Sequence, residues 1–303
     1  MKCAVFSCIG LGDGLLALVL SNNLARNGHS VDTYHPFLGE MQELFPHLPL
    51  LSRKEGTAFL KSYDRLFIVY EKLDWMQNIL ERALRDFPDK VTVLNPIATP
   101  NKDYPFWEGG RFDGSQPFVD NLAAFCRDSL YLEDVVKDNG IILPKHVKKH
   151  SFPRRVIIHP TSSRPGKNWS KGKFLSLAKR LELDGFEPVF ILTEEEKVDW
   201  PEVDAPSFPS LCDLTYFVAE SGAMVGNDSG IGHLASCMGL PTLTICRSRL
   251  AANFWRPAWA KGEVVVPPHW IPNLKGMRWR DQKWQHFVPV KTVERAFYQA
   301  IGE

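Results

Sequence analysis

The sequence lacks the features that mark disulfide-rich, membrane-spanning and nucleic-acid-binding proteins. Its six cysteines lie far apart and include no CxxC pair, which is typical of reduced thiols in a cytosolic protein. No apolar run approaches the roughly 18 residues that a membrane span requires. Lys and Arg total 36 against 35 Asp and Glu, giving a net charge of +1, and this balance argues against a dedicated nucleic-acid binder.

The apolar N-terminus resembles a secretion signal only superficially. The run covers residues 3–11 and ends at Gly12-Asp13-Gly14, so a buried first strand is the better interpretation. We therefore expect a soluble, cytoplasmic protein.

Strands and helices alternate twice along the chain. At roughly 100–200 residues per domain, the length of 303 residues suggests two domains. In the first half, strands are predicted at 2–9, 31–34, 65–70 and 90–94, with helices at 15–27 and 72–87. After a basic linker at 144–155 the pattern restarts, with strands at 156–159, 188–192, 223–226 and 242–246. This alternation predicts parallel βαβ units.

The predicted fold is therefore α/β, with two Rossmann-like domains whose parallel sheets face each other across a cleft. We place an N-terminal domain at 1–149 and a C-terminal domain at 150–288. A C-terminal helix at 289–303 follows, with packing back on the N-terminal domain as one option. Ligands of such sheets bind beyond the carboxyl ends of the strands, and three turns fall there.

The first of these turns is Gly10-Leu11-Gly12-Asp13-Gly14. Leu15 stands where a dinucleotide-binding fingerprint requires its third glycine, so NAD binding is disfavoured. A carboxylate at position 13 would repel a diphosphate and suits a general base better. The alternative is that Asp13 merely caps the following helix.

The second and third turns indicate an anion site. Residues 159–169 combine Ser and Thr hydroxyls with Arg164 and Lys167, the groups that bind phosphate, although an ordinary polar loop is the alternative. The third turn, 226–233, leads into a helix whose free amides would point at the ligand. Asn227 and Ile231 replace the glycines that a G-x-S-x-G nucleophile elbow would need around Ser229, so a serine hydrolase is disfavoured.

The tail at 275–284 interleaves basic residues with Trp279 and Trp284. This pattern is consistent with contact to an anionic lipid surface or a phosphorylated sugar. A packed aromatic loop with exposed charges is the alternative.

Together the motifs resemble glycosyltransferase family 9, the bacterial heptosyltransferases of lipopolysaccharide core assembly. The resemblance rests on Gly12-Asp13, on His159-Pro160-Thr161-Ser162-Ser163 with Lys167-Asn168-Trp169, and on Asp228-Ser229-Gly230-Ile231-Gly232-His233-Leu234-Ala235 with Gly239-x-Pro241. It implies the GT-B fold, which agrees with the architecture predicted above.

The resemblance also implies roles for individual residues. Asp13 matches the family's proposed general base, and the C-terminal half would bind a nucleotide-sugar donor, typically ADP-heptose. The implied contacts to the donor diphosphate are Ser162, Ser163, Lys167, Ser229 and Gly230. The implied contacts to the donor sugar and nucleotide are Asp228, His233, Glu195 and Glu196, with Glu194 competing for the ribose.

The implied function is inverting, metal-independent transfer of a sugar to a lipopolysaccharide core or related glycan acceptor, without a cofactor. The implied partners are the nucleotide sugar and a lipid-linked or oligosaccharide acceptor, with no nucleic acid. Peripheral contact at the cytoplasmic face of the inner membrane is left open. Two alternatives are a catalytically inactive nucleotide-sugar-binding module of envelope assembly and a GT-B-like sugar-nucleotide epimerase.

Overall fold

Parallel β-sheets form the centre of each of two units in the computed structural model, which describes residues 1–54, 56–95, 112–273 and 278–302. Unit 1 is Met1–Leu143 and unit 2 is Pro144–Glu303. The predicted α/β fold class with two Rossmann-like parallel sheets is confirmed. The division falls six residues before the predicted boundary at 149. The linker residues pack with unit 2, where the His146 ring contacts the Tyr216 ring at 5.8 Å between centroids.

Unit 1 contains a five-stranded parallel sheet in the order β3-β2-β1-β4-β5. Its strands are β1 (Lys2–Phe6), β2 (Ser30–Tyr34), β3 (Leu50–Leu51), β4 (Arg65–Val69) and β5 (Val91–Leu94). Its α-helices are α1 (Leu11–Arg26), α2 (Asp74–Asp86) and α3 (Phe118–Ala124). The apolar face of α2 packs with the sheet through Met76, Ile79, Leu80 and Ala83.

Unit 2 repeats this plan with the sheet order β10-β9-β8-β6-β7. Its strands are β6 (Phe152–His159), β7 (Glu187–Phe190), β8 (Ser221–Asn227), β9 (Thr242–Ile245) and β10 (Gly262–Val265). Its α-helices are α4 (Lys171–Leu183), α5 (Glu194–Lys197), α6 (Leu211–Glu220), α7 (Gly230–Cys237), α8 (Arg249–Trp255), α9 (Trp279–Gln282) and α10 (Val290–Ile301). Within the described ranges, no helix is long and apolar enough to cross a membrane.

The C-terminal helix α10 belongs to unit 2. Its buried side chains Val293, Ala296 and Phe297 join the core that also contains Phe174 of α4. The segment predicted at 289–303 is thus helical over Val290–Ile301, and this helix completes the hydrophobic core of the C-terminal unit. Its packing on the N-terminal domain stays a prediction.

The first helix begins earlier than the sequence predicts. Strand β1 ends at Phe6 rather than at residue 9, and α1 begins at Leu11 rather than at residue 15. Gly10 is the N-cap, and its carbonyl accepts the first helical hydrogen bond from the Gly14 amide at 2.9 Å. A β-carbon on Gly14 would lie 2.8 Å from Leu38 and 2.9 Å from His35. Glycine is therefore needed at position 14 for close packing inside a helix and not for a turn.

A neutral histidine holds this helix start in place. His35 Nδ1 accepts hydrogen bonds from the amides of Phe37 and Leu38 at 3.3 and 3.2 Å, and Nε2 lies 3.2 Å from the Gly10 carbonyl. Because two amides donate to Nδ1, the ring proton must be on Nε2, which donates to Gly10. Burial lowers the pKa of His35 to about 4. Its contacts require the uncharged ring.

Asparagines on α1 bind the irregular segment that ends unit 1. Asn22 donates to the Asp138 carbonyl at 2.9 Å and Asn27 donates to the Asp134 carbonyl at 3.0 Å. Between them, the buried Asn23 donates to the Val136 carbonyl and accepts from the Val136 amide, both at 2.8 Å. Backbone groups outside regular structure need such side-chain partners. The far side of α1 is therefore as buried as the side that faces the sheet.

We predict that Asn23→Ala destabilises unit 1 by about 2–4 kcal/mol, because each buried backbone group left unpaired costs about 1–3 kcal/mol. Arg26→Ala is the matched control on the same helix. It removes an ion pair with Asp134 whose side chains are 41% and 56% exposed, and such pairs contribute under about 1 kcal/mol. Urea unfolding measures both free energies. A loss for Asn23→Ala no larger than that for Arg26→Ala would refute the prediction.

We predict that the stability of unit 1 falls as the pH drops from about 6.5 to 4. The ordinary histidine pKa is 6.5 and the folded value for His35 is about 4, so between these values the unfolded state binds more protons. Neutral His35 therefore makes its full contribution to the unfolding free energy above pH 6.5. At 1.36 kcal/mol per pKa unit, the loss of this whole contribution at low pH amounts to about 3 kcal/mol.

The measurement is the unfolding free energy at pH 7 and pH 4.5 for the wild type and His35→Gln. The amide of glutamine can still donate to the Gly10 carbonyl but does not titrate, so its stability should depend less on pH. Parallel pH dependences for the two proteins would show that His35 does not contribute.

Candidate functional site

The carboxyl edge of the sheet in unit 2 brings the predicted donor-binding turns together. Strands β6 and β8 are parallel neighbours with His159 opposite Gly226. Because both strands end at the same edge, the loop after His159 and the turn after Asn227 emerge side by side. The two motifs, separated by about sixty residues in the chain, therefore form one site.

An ion pair joins these two motifs. Lys167 Nζ donates to Asp228 Oδ2 at 3.1 Å, and the two side chains are 40% and 19% exposed. Lys167 lies in a short 3₁₀ turn, Pro165–Lys167, and Asp228 follows β8 directly. The predicted diphosphate-binding cation and the predicted sugar-binding carboxylate are thus adjacent, half-accessible and able to contact one ligand.

The N-terminus of α7 adds polar groups without internal partners. Ser229 is its N-cap and Gly230 its first residue. Within the part of the chain that the structure describes, Ser229 Oγ and His233 Nδ1 are buried without hydrogen-bond partners. Burial lowers the pKa of His233, whose ring bonds the Trp255 backbone. The first amides of a helix also lack partners inside it, so this end offers several hydrogen bonds to a ligand.

The two predicted serines of the β6–α4 loop differ in their surroundings. The Ser162 hydroxyl is engaged inside the loop, at 2.6 Å from Asn168 Oδ1 and 3.1 Å from the Arg164 carbonyl. Ser163 is exposed. Ser162 therefore orders the loop in this structure, and contact of either serine with a diphosphate stays a prediction.

The three candidate glutamates after β7 differ in the contacts that their side chains make. Glu194 binds Lys197 and Ser207 at 2.7 Å each. Glu196 forms a capping box with Thr193, which explains why α5 begins there. Glu195 is exposed, and none of the hydrogen bonds or ion pairs described in this structure involves it.

In unit 1, the predicted base lies at the corresponding sheet edge. Asp13 is in the first turn of α1, and a β-carbon on Gly10 would lie 2.5 Å from its Oδ2. A second carboxylate, which the sequence analysis did not single out, is close by. Glu71 accepts from the Ile9 amide at 3.3 Å, and after burial Asp13 and Glu71 both help to raise the pKa of Cys8. The position of Glu71, two residues after the end of β4, was the available signal in the sequence.

A pocket in unit 1 that holds a guanidinium group was also missed. It has a volume of about 250 Å³ and is lined by Arg53, Trp75 and Asn78 among others. The Arg53 guanidinium lies 4.7 Å from the Trp75 ring centroid. Arg53 Nε and Nη2 and Trp75 Nε1 are buried without partners among the described residues. The basic pair Arg53-Lys54 after β3 was the signal in the sequence.

For Trp284, the structure agrees with the second interpretation of the tryptophan-rich tail, a packed aromatic loop. Trp284 is 1% exposed, and its indole nitrogen donates to the Gly166 carbonyl at 3.1 Å. It supports the β6–α4 loop from inside, so it is not available to a lipid surface. Trp279 is 49% exposed. Residues 274–277 of this segment lie outside the described residues.

The segment that forms this site matches a known protein family. Residues 143–269, which contain the β6–α4 loop and the start of α7, match the model of glycosyltransferase family 9 (heptosyltransferase). No curated protein matches the chain in sequence. The family match supports glycosyltransferase activity, as the sequence predicts.

Solved structures match the fold over nearly the whole chain. E. coli ADP-heptose LPS heptosyltransferase II matches with a TM-score of 0.68 and 14% identity, covering 99% of this chain and 98% of that one. A family 9 glycosyl transferase from Veillonella parvula gives 0.70 and 15%, covering 99% and 97%. E. coli heptosyltransferase WaaC with ADP gives 0.66 and 13%, covering 99% and 100%. Residues 143–269 therefore resemble glycosyltransferase family 9 (heptosyltransferase), and the chain as a whole has the GT-B fold of these solved structures.

Proposed function

We propose that this protein is an inverting, metal-independent glycosyltransferase that moves heptose from ADP-heptose to a lipopolysaccharide core or related glycan acceptor. The observation that carries the proposal is the Lys167–Asp228 pair at 3.1 Å beside the start of α7, inside the segment that matches family 9. One solved neighbour, the E. coli heptosyltransferase WaaC, is in complex with ADP, which makes ADP the first probe of this site.

The donor site is suited to stabilise a departing nucleoside diphosphate. Breaking the bond to the sugar leaves negative charge on the diphosphate. Lys167 and the free amides at Ser229 and Gly230 are preorganised donors for that charge. In the unliganded site Asp228 compensates the lysine charge. A bound diphosphate would take over this role and leave Asp228 to accept hydrogen bonds from sugar hydroxyls, with His233 Nδ1 as a second acceptor.

A carboxylate in unit 1 would activate the acceptor. A sugar hydroxyl is a weak nucleophile, and a base that removes its proton typically contributes about 10²–10⁴-fold. We assign this role to Asp13. One-step attack on the anomeric carbon inverts its configuration, and the hydroxyl proton ends on Asp13 while the diphosphate leaves with the bonding electrons.

We also assign residues of this chain to the ribose of the donor and to the acceptor. Glu196 is occupied by its capping box, so we assign the ribose to Glu195. We assign an anionic group of the acceptor to the Arg53 pocket, where buried guanidinium nitrogens lack partners among the described residues. Arg53 and Trp75 would bind such a group through charge-assisted and indole hydrogen bonds.

The protein would act in the cytoplasm, and it would contact the inner membrane peripherally. Because Trp284 is buried, the residues available for this contact are the exposed Trp279 and its basic neighbours Arg278 and Arg280. Arg278 is paired with Asp281 and Arg280 bonds the His269 carbonyl. Trp270, 72% exposed, adds an aromatic side chain to the same neighbourhood.

Two alternatives share the donor site and differ in the chemistry. A binding module needs Lys167 but no base, and an epimerase converts the donor without any acceptor. The carboxylates Asp13 and Glu71 at the unit 1 sheet edge favour transfer over simple binding. Formation of a glycosylated acceptor distinguishes transfer from both.

We predict that Lys167→Ala weakens ADP binding about 10–150-fold, because a charge-assisted hydrogen bond is worth about 1.5–3 kcal/mol. Calorimetric titration with ADP measures the effect. Lys179→Ala, an exposed lysine on α4, is the matched control and should bind as the wild type. Unchanged affinity in a folded Lys167→Ala protein would mean that the loop is ordinary surface.

We predict that Asp13→Asn lowers sugar transfer about 10²-fold or more while ADP binding stays within a few-fold, because asparagine cannot accept the proton. Gly10 and not Asp13 is the N-cap of α1, so helix α1 should persist. Transfer to truncated core acceptors is followed by mass spectrometry.

Glu71→Gln is the matched control for Asp13→Asn, since it removes the neighbouring carboxylate. Loss of transfer in Glu71→Gln together with wild-type transfer in Asp13→Asn would assign the base to Glu71. Donor binding by a wild type that glycosylates no acceptor tried would favour the binding module.

A further inference from the structure

The β6–α4 loop is held at both ends by one buried side chain that none of the roles above includes. Asn227, the last residue of β8, is 1% exposed. Its Oδ1 accepts from the Trp169 amide at 2.9 Å, and its Nδ2 donates to the Pro160 carbonyl at 2.5 Å. Pro160 and Trp169 are the first and last residues of the ten-residue loop that carries Ser162, Ser163 and Lys167.

The chemistry of these two contacts selects asparagine. An amide N–H can meet only an acceptor, and a carbonyl can meet only a donor, so the orientation of the Asn227 amide is determined by its partners. Aspartate would place a carboxylate oxygen against the Pro160 carbonyl. Alanine would leave both backbone groups without a partner in a position that water does not reach.

Residues near the C-terminal end of unit 2 also support this loop. The Trp169 ring is buried and its indole donates to the Val288 carbonyl at 2.9 Å. The Gln285 side chain donates to the Asn168 carbonyl at 3.3 Å, next to the Trp284 contact with Gly166. These contacts fix the second half of the loop. At its start, the hydrogen bond of the Pro160 carbonyl to Asn227 ties the loop to the end of β8.

We propose that Asn227 is a positioning residue that pre-organises the Pro160–Trp169 loop for a nucleoside diphosphate. The inference rests on the proposed function. A ligand that binds a loop already ordered avoids the entropic cost of ordering it. Because Asp228 follows Asn227 directly, one dipeptide at the end of β8 holds both the backbone of the loop and its lysine. Asn227 and Asp228 thereby hold the loop at a fixed position relative to the start of α7.

The test compares Asn227→Asp and Asn227→Ala with the wild type at pH 8 and pH 6. ADP affinity is measured by calorimetry, and hydrogen–deuterium exchange of residues 160–169 is measured without ligand. At pH 8 both variants should bind ADP at least about 10-fold more weakly and exchange faster in this loop.

The pH comparison separates positioning from general destabilisation. Burial against a carbonyl favours the protonated form of the carboxyl introduced by Asn227→Asp. In that form the carboxyl can donate to Pro160, so ADP affinity should recover at pH 6 relative to the wild type at the same pH. Asn227→Ala has no such group and should not recover. The described titratable groups around the position, His159, Lys167, Asp228 and His233, are common to all three proteins.

Asn121→Asp is the matched control, because Asn121 is also a buried asparagine that donates to backbone carbonyls, those of Asp113, Gln116 and Pro117 in unit 1. Its melting temperature should fall while its ADP affinity stays within about two-fold of the wild type. If Asn227→Asp does not fold, Asn227→Ala decides through affinity and exchange at both pH values.

Wild-type affinity in the folded Asn227 variants would overturn the inference, whether or not loop exchange changed. Weaker binding by Asn227→Asp without recovery at pH 6 would also overturn it, since the introduced donor would then have no effect. A wild-type protein that binds neither ADP nor UDP would instead remove the proposed function, which distinguishes the two failures.

Discussion

The close approach of β8 to β6 is the constraint on which the proposed donor site depends. A β-carbon on Gly226 would lie 2.5 Å from the His159 carbonyl, so the strands can pair at this point only with glycine on β8. The pairing brings the ends of both strands together. The loop that begins at Pro160 and the turn that begins at Asp228 then share one edge, and Lys167 reaches the carboxylate of Asp228. Without that approach the cation and the helix start would belong to separate surfaces.

Buried neutral polar side chains perform the same task in both units. Loops at a sheet edge leave backbone groups unpaired, and the interior must supply partners for them. In unit 1, Asn23 binds the segment after α3 and His35 binds the start of α1. In unit 2, Asn227 binds the β6–α4 loop, and His159 donates from Nδ1 to the Ile191 carbonyl at 2.8 Å. Each of these side chains has both a donor and an acceptor and carries no charge, which suits a site from which water is excluded.

Much of the architecture could be predicted because it depends on local patterns. The alternation of strands and helices predicted two parallel α/β halves, and the motifs around Lys167 and Asp228 predicted one anion site. The start of α1 could not be predicted in this way. Gly10-Leu11-Gly12-Asp13-Gly14 has the composition of a turn, and only the packing of Gly14 against His35 and Leu38 makes the helix begin at Leu11. The place of Trp284 was left open for the same reason, since a tryptophan among basic residues can be exposed or packed until its partner, the Gly166 carbonyl, is known.

The sequence by itself determined the fold class, the order of the elements and the residue types that converge on the donor site. Hydrophobic periodicity and glycine-rich turns are properties of short segments, so they can be recognised in the sequence without knowledge of long-range contacts. Only the tertiary structure decided which polar side chains hold distant parts of the backbone. It placed Glu71 together with Asp13 around Cys8, and it gave Asn227 hydrogen bonds to both ends of the β6–α4 loop. The capping box of Glu196 with Thr193 joins residues three positions apart and is a local pattern. The contacts of Glu71 and Asn227 join residues about sixty positions apart, and no local pattern encodes them.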